Sequence, residues 1–429
     1  MTVPFALVLL VFLLVGGMPV AFALGVAGAV GLLLQNGFAA MSGILEITPY
    51  RTAASFLMTT IPMFVLMAEL ASESKLTKQI FIAVYRWMGQ LPGGLAMASV
   101  IASAGFAAIS GSSTASAATL SSMAMPEMKK FGYNSGFSAG VISIAGTLAI
   151  MIPPSIAFIL YGIITEVSIG KLFMAGVMPG ILTAFGYCIA ILISVKLKKG
   201  IASEVKPFTF REKAETLKPI WPILILIFLV MGGIYSGAVT ATEAGAVGAM
   251  GAFLIAVLIR RTGKSGIWSS LERTAQTTTM IFSIIIGAMI FSYFVTTTQT
   301  TQKLINLVAG SNLSNGTVLF IIIGLYLFLG CILDQIAILL LTLPIIFPLI
   351  TSIGYDPIWF GVIVVKTAEI GLVTPPLGMN VYVVAASSKV PIEDVFIGVL
   401  PFVAIDLVIL AVLCAVPEIS LWLPNFMSK

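Results

Sequence analysis

Apolar runs of about 20 residues, the length of helix that crosses a bilayer, follow one another along almost the whole chain. They lie roughly at 3–35 (interrupted at Gly16-Gly17 and Pro19), 52–70, 93–127, 136–164, 172–196, 219–235, 239–259, 277–297, 317–350, 358–387 and 395–417. Helices satisfy their own backbone polar groups, which hydrocarbon cannot do for them. The pattern therefore predicts an all-α polytopic membrane protein. Two blocks, 93–127 and 317–350, are too long for one simple crossing, and each has a disturbed centre: "SGSST" at 110–114 and "GCILDQ" at 330–335. A re-entrant helical hairpin that enters and leaves on one face fits both.

Two further blocks are broken by paired prolines, in "GTLAIMIPPSIAF" (146–158) and "EIGLVTPPLGMN" (369–380). Proline has no N–H and clashes with the carbonyl four residues earlier. Each pair thus frees carbonyls, at about 149–152 and 371–374. Broken backbone at membrane depth is tolerated only where it is buried in protein or lines a cavity.

The one substantial polar linker, "KLKKGIASEVKPFTFREKAETLK" (196–218), splits the chain into near-equal halves. At a constant shift of 222 residues, Pro126 falls on Pro348, Gly132-Tyr133 on Gly354-Tyr355 and Pro153-Pro154 on Pro375-Pro376. The same shift carries Gly176 onto Gly398 and Pro179 onto Pro401, and "AGAVG" at 27–31 recurs at 244–248 with a slightly smaller one. This is a duplication. Its expected layout is a first repeat at 1–200, a basic cytoplasmic linker at 201–218 and a second repeat at 219–429.

Charge adds orientation. Lys75, Lys78 and Arg86 precede the first hairpin and Lys129-Lys130 follow it, whereas Lys303 precedes the second and "TSIGYDP" follows it. Cytoplasmic loops are enriched in Lys and Arg, so the first hairpin should open toward the cytoplasm, the second toward the outside, and the repeats should be inverted. Composition agrees with a membrane class: 59% of the 429 residues are hydrophobic and 9% charged, against about 25% charged in a soluble domain. The start of the chain lacks a basic n-region and an evident cleavage site, and reads as retained membrane helix rather than a signal peptide. No histidine occurs, which excludes histidine-based acid–base chemistry and metal ligation. Cys188, Cys331 and Cys414 stand alone in apolar stretches and read as packing residues.

In transporters built from inverted repeats, sites lie near the midplane at discontinuous helices. Freed carbonyls with hydroxyls make a hard oxygen site without formal charge, suited to a desolvated monovalent cation, Na⁺ above all. Asp334 at the second tip is the one acid that leaves protons open. Pro-Pro could instead merely kink a packed helix, but four matching breaks in two copies favour binding. Ser110, Ser112 and Ser113 sit at a break and read as ligands, while Ser116 to Ser122 read as a close-packing stripe. Asn380 is either a site residue or interhelical glue. Lys366 and Glu369 are three apart and read as a structural pair. Glu243 carries little weight, and Glu69 and Asp406, near segment ends, are expected to be solvated or interfacial.

The stretches "GYNSGFSAGVISIAGTLAIMIPPSIAFILYGIITEVSIGKLFMAGVMPG" (132–180) and "GYDPIWFGVIVVKTAEIGLVTPPLGMNVYVVA" (354–385) resemble the large membrane subunit of tripartite ATP-independent periplasmic (TRAP) transporters, and the likeness spans essentially the whole chain. The resemblance implies Na⁺-driven uptake of an organic acid, such as a C4-dicarboxylate or sialic acid, across the bacterial inner membrane by an elevator motion, with a transport domain from about 93–165 and 317–387 and a scaffold from the remaining helices. It implies no cofactor, with Na⁺ as the coupling ion. The implied partners are a small four-helix membrane subunit, expected as a separate chain, a periplasmic substrate-binding protein, the carried acid and the lipid bilayer; no nucleic acid is involved. Carried onto this chain, one Na⁺ site would use Ser110, Ser112, Ala149, Ile152 and Pro154, and a second Gly330, Gly371, Thr374 and Leu377. The substrate would meet Ser112, Ser113, Ser155, Asp334 and Asn380. The alternatives are a stand-alone Na⁺- or H⁺-coupled anion symporter of related inverted-hairpin fold and, further off, a channel. An enzyme is not expected, since no nucleophile–base pair or metal cluster is visible.

Overall fold

A computed structural model describes residues 2–427 except 75, 199, 202–207, 260, 261 and 312. Lys75 of the charge pattern and 202–207 of the linker lie outside the described residues, which form helices and no strand. Eight helical stretches among them are long and apolar enough to cross a membrane.

The duplication is written into the helix starts. Five helices of the first half, Gly94–Ser110, Ser113–Lys130, Ser135–Met151, Ile156–Thr165 and Ile169–Leu197, have counterparts in Asn315–Gly330, Gln335–Ser352, Pro357–Gly371, Met379–Ser388 and Ile392–Ala415. At the shift of 222, each pair of starts agrees to within one residue. Local chemistry explains the agreement. Asn134 caps Ser135–Met151 by accepting from the Phe137 N–H, and Asp356, 222 residues on, caps Pro357–Gly371 by accepting from Ile358 and Trp359. Such side chains replace the partners that the first N–H groups of a helix lack.

Gly94–Ser110 with Ser113–Lys130 forms the first hairpin, and Asn315–Gly330 with Gln335–Ser352 the second. The halves pack on each other reciprocally. Ser113–Lys130 lies against Met379–Ser388, and its counterpart Gln335–Ser352 lies against Ile156–Thr165. The Thr147 hydroxyl meets Glu369 Oε1 at 2.8 Å, and these two residues are each other's equivalents. A residue that touches its own counterpart marks a two-fold axis between like surfaces.

The outer helices are less symmetric. Phe38–Ala53, a short 3₁₀ turn at Phe56–Thr59 and Thr60–Glu73 correspond to one continuous helix, Lys264–Thr297. Glycines seat another outer helix, Val20–Asn36, on Lys264–Thr297: a Cβ on Gly28 would lie 2.7 Å from the Phe291 backbone, and one on Gly287 would run into the Ala21 carbonyl. Arg273 ties Lys264–Thr297 to Thr60–Glu73, reaching Glu69 at 2.6 Å and Glu73 at 3.0 Å.

Candidate binding site between the two repeats

Both hairpin tips touch the broken helix of their own half. Gly111 ends Gly94–Ser110 at φ +60°, a left-handed conformation open to glycine. A Cβ there would lie 2.8 Å from the Pro154 carbonyl oxygen, so tip and break are in contact. Ser110 donates to the Ser112 carbonyl at 3.4 Å, and the Ser116 hydroxyl reaches Ser110 Oγ at 3.3 Å. Ser116 therefore props the tip; of the rest of its stripe, Ala117 packs closely, 2.7 Å from where a Gly146 Cβ would be, and Ser121 is buried, whereas Ser122 is exposed. Ser110, Ser112 and Pro154 are thus brought together. Ala149 and Ile152 lie on the stem just before the prolines, and the carbonyls of Ala149 and Ile150 oppose Pro153 and Pro154 where an N–H would otherwise be.

The second tip repeats the contact with different chemistry. A Cβ on Gly371 would lie 2.4 Å from the Gly330 Cα and carbonyl carbon. The Leu377 N–H donates to the Cys331 carbonyl at 3.1 Å, joining break to tip. Here the freed carbonyls have partners: Thr374 N–H donates to Gly371, and Asn380 N–H to Leu372. The Thr374 hydroxyl spends its hydrogen on the Ile370 carbonyl at 2.6 Å, leaving its lone pairs free. All four residues assigned to the second cation site meet at this junction. Pro375, Pro376 and Leu377 are exposed, whereas Pro153, Pro154 and Ser155 are buried.

Two of the substrate candidates touch across the halves. The Asn380 amide nitrogen donates to Ser113 Oγ at 2.5 Å and to the Ser143 carbonyl at 3.1 Å. A carbonyl only accepts, so this contact fixes the amide orientation and leaves Oδ1 buried and without a partner. Ser155 and Asp334 cap helices; Asp334 accepts from the Ile336 and Ala337 N–H groups at 3.3 and 3.4 Å. Asp334 is the repeat equivalent of Ser112, so one tip carries a carboxylate where the other carries a hydroxyl. Glu243 forms an exposed capping box with Thr240.

One expectation is overturned. Asp406 is neither solvated nor interfacial: it has no exposure and holds Lys366 Nζ at 2.6 Å. Lys366 also pairs with Glu369 at 3.0 Å, and Tyr187 donates to Asp406 at 2.8 Å. Sequence spacing signals the Lys366–Glu369 pair. Asp406 and Tyr187 arrive from 40 and 179 residues away, and only the fold assembles them.

Paired hairpin tips pressed on paired broken helices, in a two-fold repeated membrane fold, define a secondary transporter. The family described as "Tripartite ATP-independent periplasmic transporter, DctM component" matches residues 7–419. The C4-dicarboxylate TRAP transporter large permease protein DctM of Pseudomonas aeruginosa is 36% identical over 94% of this chain and 94% of its own. The sialic acid TRAP transporter large permease protein SiaM of Vibrio cholerae is 31% identical over 96% of each. Among solved structures, the Alcanivorax borkumensis YdaH transporter superposes with a TM-score of 0.64 at 14% identity, over 91% of this chain and 90% of that one; the likeness is one of fold. The chain belongs to the DctM family of TRAP transporter large permeases. It is a multi-pass protein of the bacterial inner membrane, and its relatives are transporter components, not enzymes.

Proposed function

We propose that this subunit carries a small organic acid inward together with Na⁺, fed by a periplasmic binding protein and assembled with a small membrane subunit. The observation that carries the reading is the doubled junction of hairpin tip and proline-broken helix, Gly111 on Pro154 and Gly330 on Gly371. Each junction gathers carbonyl and hydroxyl oxygens without a metal-type cluster of acids, which suits Na⁺. Moving an anion inward works against a negative interior by ~2.3 kcal/mol per charge per 100 mV, and two or more co-transported cations reverse that cost. Named relatives carry C4-dicarboxylate, sialic acid or, in Oleidesulfovibrio alaskensis, isethionate, so the cargo here is a small organic anion. Movement of the hairpins and broken helices as one body against the outer helices would expose the site to each side in turn.

Reconstitution in sealed vesicles tests this. The chain with its small subunit and loaded binding protein should take up the acid only under an inward Na⁺ gradient, and the chain alone should take up none. Undiminished uptake without Na⁺ would sink the coupling, and uptake by the chain alone would favour a stand-alone symporter.

A further inference from the structure

The stems of the two broken helices touch through a hydrogen bond between equivalent positions. The Thr147 hydroxyl donates to Glu369 Oε1 at 2.8 Å, and the two residues are 222 apart. Thr147 stands near the end of Ser135–Met151, two residues before Ala149, and Glu369 near the end of Pro357–Gly371, two residues before Gly371. Each is therefore within one helical turn of a residue assigned to a cation junction. Both side chains have no exposure, so no water can replace the bond if its ends drift apart.

The bond is the middle link of a continuous chain between the two hairpins. Beside Thr147, a Cβ on Gly146 would lie 2.7 Å from the Ala117 side chain of the first hairpin. Beyond Glu369, Gly371 packs on the Gly330 backbone of the second. Glu369 itself is braced. Lys366 Nζ holds its Oε2 at 3.0 Å and is fixed in turn by Asp406 at 2.6 Å and Thr183 at 3.2 Å, while the Tyr187 hydroxyl stands 3.4 Å from Oε1. A braced acceptor passes on any displacement of its donor instead of following it with a free side chain. Close-packed interiors have discrete arrangements and do not deform continuously. A cation that draws in the carbonyls of one junction fixes the last turn of that stem, and Thr147 carries the setting to the other. The second cation then meets a junction already ordered, and its binding has less freedom to remove.

We propose that Thr147 is a positioning residue that couples the two cation junctions, so that Na⁺ at either one favours Na⁺ at the other. The inference rests on the Na⁺ reading above. Such coupling is reciprocal, and at about fivefold it gives two equal sites a Hill coefficient of about 1.4. A bond that served stability alone would leave the two sites independent.

Na⁺ titrations of the purified protein, followed by tryptophan fluorescence with choline replacing Na⁺, test the coupling. Wild type should titrate with a Hill coefficient clearly above one, and Thr147→Val, which keeps the shape but not the hydroxyl, should fall toward one. Thr147→Ser restores the hydroxyl and should restore the steepness. A Hill coefficient of one in the wild type, or one unchanged in Thr147→Val, overturns the coupling while the Na⁺ response itself stands. Thr147→Ser behaving as Thr147→Val overturns it too, because the hydroxyl would then not be the cause. Should Thr147→Val fail to fold, Thr147→Ala should show the same loss, and wild-type steepness in that variant overturns the proposal. No Na⁺ response in the wild type overturns the sodium reading, and the coupling with it.

Discussion

Lys366 is a residue whose loss cannot be absorbed locally. Its stem and ammonium are fully buried, and its partners come from its own helix, from Ile169–Leu197 and from Ile392–Ala415. Lys366→Met would leave the Asp406 carboxylate charged and unmatched, at a cost of about 3–5 kcal/mol. Thermal unfolding in detergent should show a large drop for the single variant and a smaller one for Lys366→Met with Asp406→Leu, because the double change removes the orphaned charge as well. An equal drop in both would mean that the cluster contributes packing alone. Thr374 poses the opposite case. Its hydroxyl hydrogen is committed to Ile370, so Thr374→Ala would remove an oxygen that the proposed cation site uses and little that the helix needs. Uptake by the complete system should need several-fold more Na⁺, with expression and unfolding temperature unchanged; an unaltered Na⁺ response would remove Thr374 from the site. The sequence exposes these two residues unequally. Thr374 announces itself beside a proline pair, whereas the weight of Lys366 depends on Asp406, whose position near a segment end hides a fully buried contact.

Among the elements, the close approach of the second hairpin to its broken helix is the most demanding contact. The atoms that a Gly371 side chain would meet, 2.4–2.6 Å away, are backbone atoms of Gly330, which no rotamer change can move. Gly371→Ala should therefore push the tip off the break, costing about 1–3 kcal/mol and blunting the Na⁺ response. Gly324→Ala is the control, since nothing lies within 4 Å of its Cβ position on the same hairpin arm and alanine favours the helix by about 0.5–1 kcal/mol. If both variants unfold at the wild-type temperature, the tip is not seated as described. The tips and breaks were legible because proline and glycine interrupt apolar runs twice at one spacing. The outer helices were not. The expected block 277–297 is the end of a helix that begins at Lys264, whose opening "KSGIWSSLERTAQTTT" is too polar for hydropathy to register; Arg273 holds that part through Glu69 and Glu73. Leu76–Met88 and Thr300–Gly310 were missed for the same reason, as short helices carrying charge.

For the whole molecule, the question is which helices would travel with the site. A boundary at 165 and 387 leaves Tyr187 and Asp406 in the scaffold, across a buried ion cluster from Lys366 and Glu369. Sliding along that boundary would separate charges that have no water to meet, at several kcal/mol per broken pair. It would also unseat Gly398, whose backbone lies so near Gly140 that a Cβ there would be 2.3 Å from the Gly398 carbonyl carbon. If the core moves as proposed, Ile169–Leu197 and Ile392–Ala415 would travel with it, and the contact of Phe64 with Phe173 would be a sliding surface and that of Phe137 with Phe402 an internal one. The rings are in contact in both pairs, with centroids 5.8 and 6.3 Å apart, so cysteines at these positions can be tested with reducible thiol cross-linkers of graded length once Cys188, Cys331 and Cys414 are replaced. Cross-linking cysteines at 64 and 173 should arrest uptake until a reductant restores it, and cross-linking cysteines at 137 and 402 should leave uptake intact. The reverse pattern would return both helices to the scaffold. Arrest by both cross-links would mean that the core itself deforms during the cycle, because a rigid body tolerates a bond between two of its own helices.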